Sequence, residues 1–381
     1  EERYALLRSD GTTEPLTSNA VQIDLGSTRL QIVNLGANDT NAQLITTLKK
    51  VKPTAKKKIK NRVNSVLVDK SILVGSGIGT TTLNNGLTNG NYPYGTRVED
   101  TNISLNSPDV IKVHGVFEMA TVPSDDNNDP SAPKMILGAM TSSSTTTSEF
   151  VIGEKIIGQT SGATGIVAEK LTDTQISFIH KNDALFQEGE VIVAQESLVE
   201  GIIVTLDSPS HNITQNFKYN DGQGSTFFDY GTIIRNENAE APEKRIKIYF
   251  SNGYYESTDD GDITTVGSYD TFNYATEIGI VDGIPESDII DIRPRVSDYT
   301  VAEGSRSPLE FYGRTFNASG QTATNILASD EDITVTFTHY LGRIDRIFVT
   351  KDGKFEVKYG TPSENPERPT GVDDAIEIAE I

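Results

Sequence analysis

Any chemistry this chain performs must come from a small set of side chains. It has four histidines, His114, His180, His211 and His339, and no cysteine. No two histidines stand at the His-x-x-x-His spacing that lets one helix face grip a metal. His114, His180 and His339 lie in or beside alternating strand patterns, where a packed or surface imidazole is the expected role. Without thiols there are no disulfides, thiolate metal sites or cysteine nucleophiles. No Gly-x-Ser-x-Gly elbow anchors a hydrolase triad. Gly75-Ser-Gly-Ile-Gly-Thr80 lacks the lysine of a phosphate loop and does not open a helix as a dinucleotide fingerprint would. Carboxylates are plentiful, and Asp229, Asp288, Asp291 and Glu310 are ones a glycoside-hydrolase pair could draw on. Asp291 stands beside Arg293 and Arg295, however, which reads as a structural ion pair that fixes geometry. The acidic loop Ser124–Pro130 is dense enough for Ca²⁺ but lacks the EF-hand spacing and its glycine, so it reads as a solvated loop. No catalytic residue, metal or cofactor is expected.

The elements that would carry these residues are short and strand-like. Ile344 to Thr350 alternates loosely, Lys351-Asp-Gly turns, and Lys354-Phe-Glu-Val-Lys-Tyr359 alternates cleanly, which is a hairpin signal. Ala375 to Ile381 is a further apolar and acidic strand in which the chain stops in mid-pattern. With a first residue other than Met, this reads as a piece of a longer polypeptide. Thr141 to Ser148 is an unbroken Ser/Thr run, a linker by composition. After it, Phe150-Val-Ile-Gly-Glu154 is echoed by Phe186-Gln-Glu-Gly-Glu190, each followed by an apolar run. Five short strands over 149–206 predict a small inserted barrel, a closed form that removes exposed edges. The basic block 49–62, Lys49 to Arg62, could meet an acidic neighbour, a lipid or a nucleic acid. Pro53 and the flanking strand patterns favour a solvated hairpin tip instead. The expected organisation is a β-rich N-terminal domain over 1–148, the barrel over 149–206, and a β-rich C-terminal domain over 207–381. The expected fold class is mostly β: several small antiparallel sandwiches or barrels in an elongated arrangement, with few short helices.

Composition narrows the function classes. Over 381 residues the hydrophobic share is 36% with no tryptophan, so cores are small, and abundant Asn, Thr, Ser, Gly and Asp suit turns and strands. A formal net charge of −21 repels nucleic-acid phosphate, which makes DNA or RNA an unexpected main partner. No apolar run is long enough for a membrane-spanning helix.

One set of motifs, in order, resembles a known family. Asp221-Gly-Gln, Phe228-Asp-Tyr-Gly-Thr-Ile-Ile-Arg235, Ser268-Tyr-Asp270, Asp291-Ile-Arg-Pro-Arg-Val296, Tyr340-Leu-Gly-Arg-Ile-Asp-Arg-Ile347, Lys351-Asp-Gly-Lys-Phe355 and Pro362-Ser-Glu-Asn-Pro366 through Pro369 are similar to a large virion structural protein of tailed bacteriophages. The likeness is to T-even-like phages of marine cyanobacteria. It covers roughly residues 211–381 and, more loosely, the barrel and the 98–118 region. One departure is Asp291-Ile-Arg-Pro-Arg295, where Asp-Phe-Arg-Pro-Arg is expected. The family has no known catalytic residues to carry over.

The resemblance implies a non-enzymatic structural component of a phage tail, fibre or baseplate, located in the virion. Its expected partners are other tail proteins and further copies of itself, with a trimer favoured. Tyr92, Tyr94, Tyr254, Tyr255, Phe311 and Tyr312 are the candidate aromatic anchors at such interfaces. Two rival readings follow from the same residues. Asn89-Gly-Asn-Tyr-Pro-Tyr94 suits sugar stacking, hence a module that binds a host surface glycan. A polysaccharide depolymerase is the other, against which stands the absence of β-helix coil repeats.

Overall fold

The computed structural model describes residues 4–17, 19–23, 30–37, 41–46, 52–68, 97–120, 130–140, 146–256, 258–259, 261–296, 341–363 and 365–381. Among these the fold is β throughout. Its only helical turns are three-residue 3-10 segments, such as Val266–Ser268 and Glu286–Asp288. The strands form several small antiparallel sheets and one closed barrel. The chain divides into two compact units, Glu1–Ile326 and Leu327–Ile381.

The centre of the first unit is a sandwich. One layer is a four-stranded sheet in the order Ser210–Asn212, Val110–Met119, Ile246–Tyr255, Lys58–Val68. The other is three-stranded, Phe217–Asn220, Tyr230–Arg235, Asn102–Pro108. Val68, Ile103, Leu105, Val116, Ile233, Ile246, Ile248 and Phe250 fill the space between them. The chain changes layer at Asp109, whose φ of 58° is a left-handed conformation rare for a residue with a Cβ. That corner ends Asn102–Pro108 and starts Val110–Met119, and it points a carboxylate into the fold.

Two expectations about organisation are corrected here. The basic block is not a hairpin tip. Its second half forms Lys58–Val68, paired along its length with Ile246–Tyr255, and Lys56 and Lys58 are buried. Gln43–Thr46, expected as the other arm of that hairpin, pairs with Tyr4–Leu7 in a different sheet. Nor does the chain divide at 206/207, because Ser210–Asn212 and Ile246–Tyr255 share a sheet with Val110–Met119. Sheet pairing across a long loop is invisible to local pattern, which records where strands are and not whom they pair with.

The barrel has six strands, not five. The five expected ones are Lys155–Gly158, Thr164–Thr172, Gln175–His180, Val191–Ala194 and Glu200–Asp207; the sixth, Lys134–Met140, precedes the Ser/Thr run and closes the ring between Gln175–His180 and Glu200–Asp207. Its core is Met135, Leu137, Phe150, Ile156, Val167, Ile176, Phe178, Phe186, Ile192 and Ile203. The Ser/Thr run is not free linker along its whole length. Thr147 is buried, and its N–H donates to Asp173 O at 2.8 Å. Residues 141–145 lie outside the described residues.

The Phe150 and Phe186 echoes are structural equivalents. Lys155 faces Ile166 as Val191 faces Ile202, and Lys155–Gly158 pairs with Val191–Ala194 about a local two-fold, Ile156 opposite Ala194 and Gly158 opposite Ile192. Each half also contributes a third strand, Gln175–His180 in one and Lys134–Met140 in the other.

In the second unit, Arg346–Thr350 pairs with Phe355–Lys358 on one side and with Ala375–Glu380 on the other. The expected Lys351-Asp-Gly turn is present. Gly353 takes φ +74°, which a side-chain-bearing residue adopts at a cost, and its N–H donates to Thr350 O at 2.9 Å.

Candidate functional site

A dense group of ionisable side chains surrounds Lys58. Its Nζ lies 2.7 Å from Asp109 Oδ2 and 3.3 Å from Glu286 Oε2. It also faces the rings of Phe228 and Tyr269, at 4.9 and 4.8 Å from their centroids. Tyr269 donates its hydroxyl to Glu286 Oε2 at 3.0 Å. The other oxygen of Glu286 accepts from Arg293 Nη2 at 2.6 Å. Arg293 also grips Asp291 through Nε at 2.9 Å and Nη2 at 2.6 Å, gives Nη1 to Gly224 O at 2.6 Å, and stacks over Phe228 at 4.1 Å. Gln223 Nε2 donates to Asp109 Oδ1 at 3.1 Å. Arg295, wholly buried, donates Nη2 to Gly253 O at 3.0 Å.

Each of these groups arrives on a different element. Lys58 opens an edge strand, Asp109 is the corner between layers, Glu286 lies in a 3-10 turn, and Asp291 to Arg295 form an extended segment tied by Phe228 N–H to Pro294 O at 3.0 Å. Burial by itself would lower the Lys58 ammonium. The carboxylates of Asp109 and Glu286, with the phenols of Tyr255 and Tyr269, outweigh it and hold Lys58 well above the usual lysine range. Burial holds the Glu286 carboxyl above the usual range; Lys58 and Arg293 pull it back only in part, and the Asp109 charge adds to the rise. Burial also raises Tyr255, to about 12. Lys58 and Glu286 are each 1% exposed. The arrangement is a chain of alternating charges, Asp109–Lys58–Glu286–Arg293–Asp291, that holds four segments in register. Breaking one partner would strand a charge in low dielectric.

A second set of polar contacts joins barrel to sandwich. Glu169, on the barrel, takes Lys247 Nζ at 2.6 Å and the Tyr249 hydroxyl at 2.8 Å. Tyr249 in turn accepts the N–H of Ala132 at 3.2 Å. Around them Phe117, Ala132, Ala168, Ile179 and Tyr249 make a small apolar seam. Arg62 pairs with Glu196 at 2.6 Å. His114 completes the seam: its Nε2 lies 3.0 Å from Arg62 O, and Lys181 Nζ lies 3.3 Å from its Nδ1. The carbonyl requires a proton on Nε2, leaving Nδ1 to accept from Lys181. Burial, reinforced by the Lys181 charge, takes His114 down to about 4; burial takes Lys181 down to about 8.

The residues singled out by sequence fall in different places. Asp291 and Arg293 form the expected ion pair, at 2.6 Å, and Arg295 serves the backbone of Gly253. Tyr255 is corrected as an interface anchor: it is buried and its hydroxyl lies 2.6 Å from Thr264 Oγ1. Tyr254 is half-buried. Tyr92, Tyr94, Phe311, Tyr312, Glu310 and His339 lie outside the described residues, as do the Gly75 loop and residues 124–129 of the acidic loop. Asp229 accepts Tyr230 N–H at 2.9 Å, and Asp288 is exposed. His180 stacks on Phe186, and His211 is exposed. Among the described residues no three His, Asp or Glu converge to hold a metal ion, and none of the helices is long and apolar enough to cross a membrane. Sequence reasoning missed Lys58, Asp109 and Glu286. The one available signal was the apolar alternation that continues from the basic block into Ser65-Val-Leu-Val68.

Comparison with protein-family models, with curated proteins and with solved structures finds no match to this chain.

Proposed function

We propose that this chain is a non-enzymatic structural component of a bacteriophage tail, in the fibre or baseplate, working through packing against neighbouring subunits in the virion. The tail assignment rests on the ordered motifs from Asp221 to Pro369. The structural part rests on one observation: the Asp109–Lys58–Glu286–Arg293–Asp291 chain spends its ionisable groups on one another, deep in the fold, to tie segments far apart in sequence. Catalytic acids and bases must reach a substrate. Charges satisfied internally resist displacement of one segment past another, which is what a part under load requires. The partners are further copies of the chain and other tail proteins; nucleic acid is disfavoured by the acidic surface.

The test is antibody labelling of intact phage particles. Decoration of the tail is expected, and particles that bind no antibody while the soluble lysate retains all of the protein would overturn the assignment. Incubation with host surface polysaccharide tests the second half of the claim, since chain shortening would make the protein an enzyme.

A further inference from the structure

The second unit carries its apolar residues on the wrong side for an isolated sheet. Side chains alternate across a strand, so register assigns faces. Val349 stands opposite both Phe355 and Ile376, and Ile347 opposite both Val357 and Ala379. Asp345 and Ile381 exchange backbone bonds at 2.9 Å, which puts Ile381 on that same face. Phe355, Ile376 and Ile381 are 75, 76 and 75% exposed, and Val357, Tyr359 and Ile378 are exposed beside them. The opposite face is partly covered by the chain itself, with Glu356, Glu377 and Glu380 left in solvent. Phe348 is buried there, Arg346 Nη1 donates to Pro369 O at 2.8 Å, and Lys358 Nζ donates to Thr370 Oγ1 at 2.9 Å. Arg346 and Glu377 form an ion pair on that side. A sheet ordinarily buries its apolar face and wets its charged one. Here the charged face is partly covered and the apolar face is bare.

We propose that this face packs against the same face of a second copy of the chain. The area fits: at ~150–200 Å² for a large side chain, the exposed fractions of these six residues amount to roughly 650 Å², against about 800 Å² per partner in a standard stable interface. The charge also fits. The chain carries a net charge of −21, which drives copies apart over most of its surface. At the rim of this face Arg343 and Asp345 neutralise one another at 2.7 Å, and Arg343 lies over Tyr359 at 4.9 Å. Two copies meeting here oppose aliphatic and aromatic groups, not carboxylates. An apolar face whose Asp345 is neutralised by Arg343 can pair with its own copy about a two-fold axis, and face-to-face sheets stack at about 10 Å. A partner of different chemistry would be met by a charged or polar pattern, which this face lacks. The inference deepens the structural role proposed above and rests on it for its purpose. A monomeric chain would remove this interface and leave the particle-labelling test of the tail assignment untouched.

Sedimentation velocity of the full chain from about 1 to 100 µM tests it. Mass is expected to double with concentration. The exposed-site variant Phe355→Glu with Ile376→Glu should weaken association at least tenfold while far-UV circular dichroism is unchanged, and Leu198→Glu, on the barrel, should leave association as it was. Because the chain has no cysteine, Ile376→Cys gives a single reporter. Its thiol should label fast in dilute solution and progressively slower as concentration rises. A chain that stays monomeric, association indifferent to the double variant, or a thiol that labels at one rate, fast or slow, at every concentration would each overturn the proposal. A uniformly slow rate would mean that the chain's own residues cover the face.

Discussion

Glu154 and Glu190 exchange duties across the barrel. The carboxylate of Glu154 accepts the backbone N–H groups of Glu196 and Ser197, at 3.1 and 2.9 Å, and the Ser197 hydroxyl. That of Glu190 accepts the N–H groups of Thr160 and Ser161, at 3.2 and 3.0 Å, and the Ser161 hydroxyl. Each glutamate therefore caps the turn belonging to the other's half, and each also caps its own entry loop, through Val151 N–H and Gln187 N–H respectively. The halves cannot come apart without leaving two buried carboxylates and two turns unsatisfied. Burial would raise Glu190, but these hydrogen bonds outweigh it and hold its carboxyl below the usual range.

Removing either cap should therefore be costly. Glu154→Ala or Glu190→Ala is expected to lose about 3 kcal/mol, because several charge-assisted hydrogen bonds vanish and buried donors are stranded. Chemical denaturation monitors it. Because both substitutions break one reciprocal clasp, the double variant should lose less than the sum of the two.

The same duplication places Leu198 where the other half has Gly162. Both are left-handed, with φ of 59° and 67°. Leucine pays for that conformation and glycine does not, so Leu198→Gly should stabilise by about 1 kcal/mol, while Gly162→Ala should destabilise by a similar amount. A Cβ at Gly162 would meet nothing within 4 Å, so the second loss would be backbone strain alone. Thermal unfolding of the two variants should move in opposite directions.

In the Lys58 cluster, Lys58→Met takes from Asp109 its cation and leaves Glu286 with Arg293 alone. A loss of about 3–5 kcal/mol is expected. Combining it with Glu286→Gln and Asp109→Asn should recover a large part of that loss, since no unpaired charge remains. Equilibrium denaturation of the single and triple variants checks both halves of the prediction.

His114 and Lys181 set two pH windows. The folded pKa of His114 is about 4 against 6.5 for a free imidazole, so the unfolded chain binds more protons between those values. Stability should be full above pH 6.5 and fall as pH drops toward 4, by up to about 3 kcal/mol. His114→Gln should flatten that window. Lys181, near 8 against 10.5, has the same sign at higher pH: stability should rise between pH 8 and 10.5. The depressed carboxyls of Glu190 and Glu277 act separately, losing their contribution only below about pH 4.5, where unfolded glutamate begins to protonate. Melts from about pH 2 to 10.5 cover the three regions.

Local pattern was enough for elements whose partners are close by. The turn at Gly353 and its two strands could be read directly, as could the repeated Phe-x-x-Gly-Glu of the barrel, because hairpin register is set by the residues of the turn itself. Lys58 could not. Its setting among lysines looks solvated until Glu286, 228 residues away, is brought beside it. Asp109 follows Pro108, a local turn sign, but nothing nearby in sequence shows that its carboxylate meets Lys58.

Strand content, the barrel's duplicated half and the C-terminal hairpin were thus determined by the sequence alone, through alternation and turn chemistry acting over a few residues. Tertiary structure decided the sixth barrel strand, the burial of Lys58 and the bare face around Ile376. Each depends on which strands meet across long connections, and that choice is made by packing and charge pairing between segments that share no local pattern.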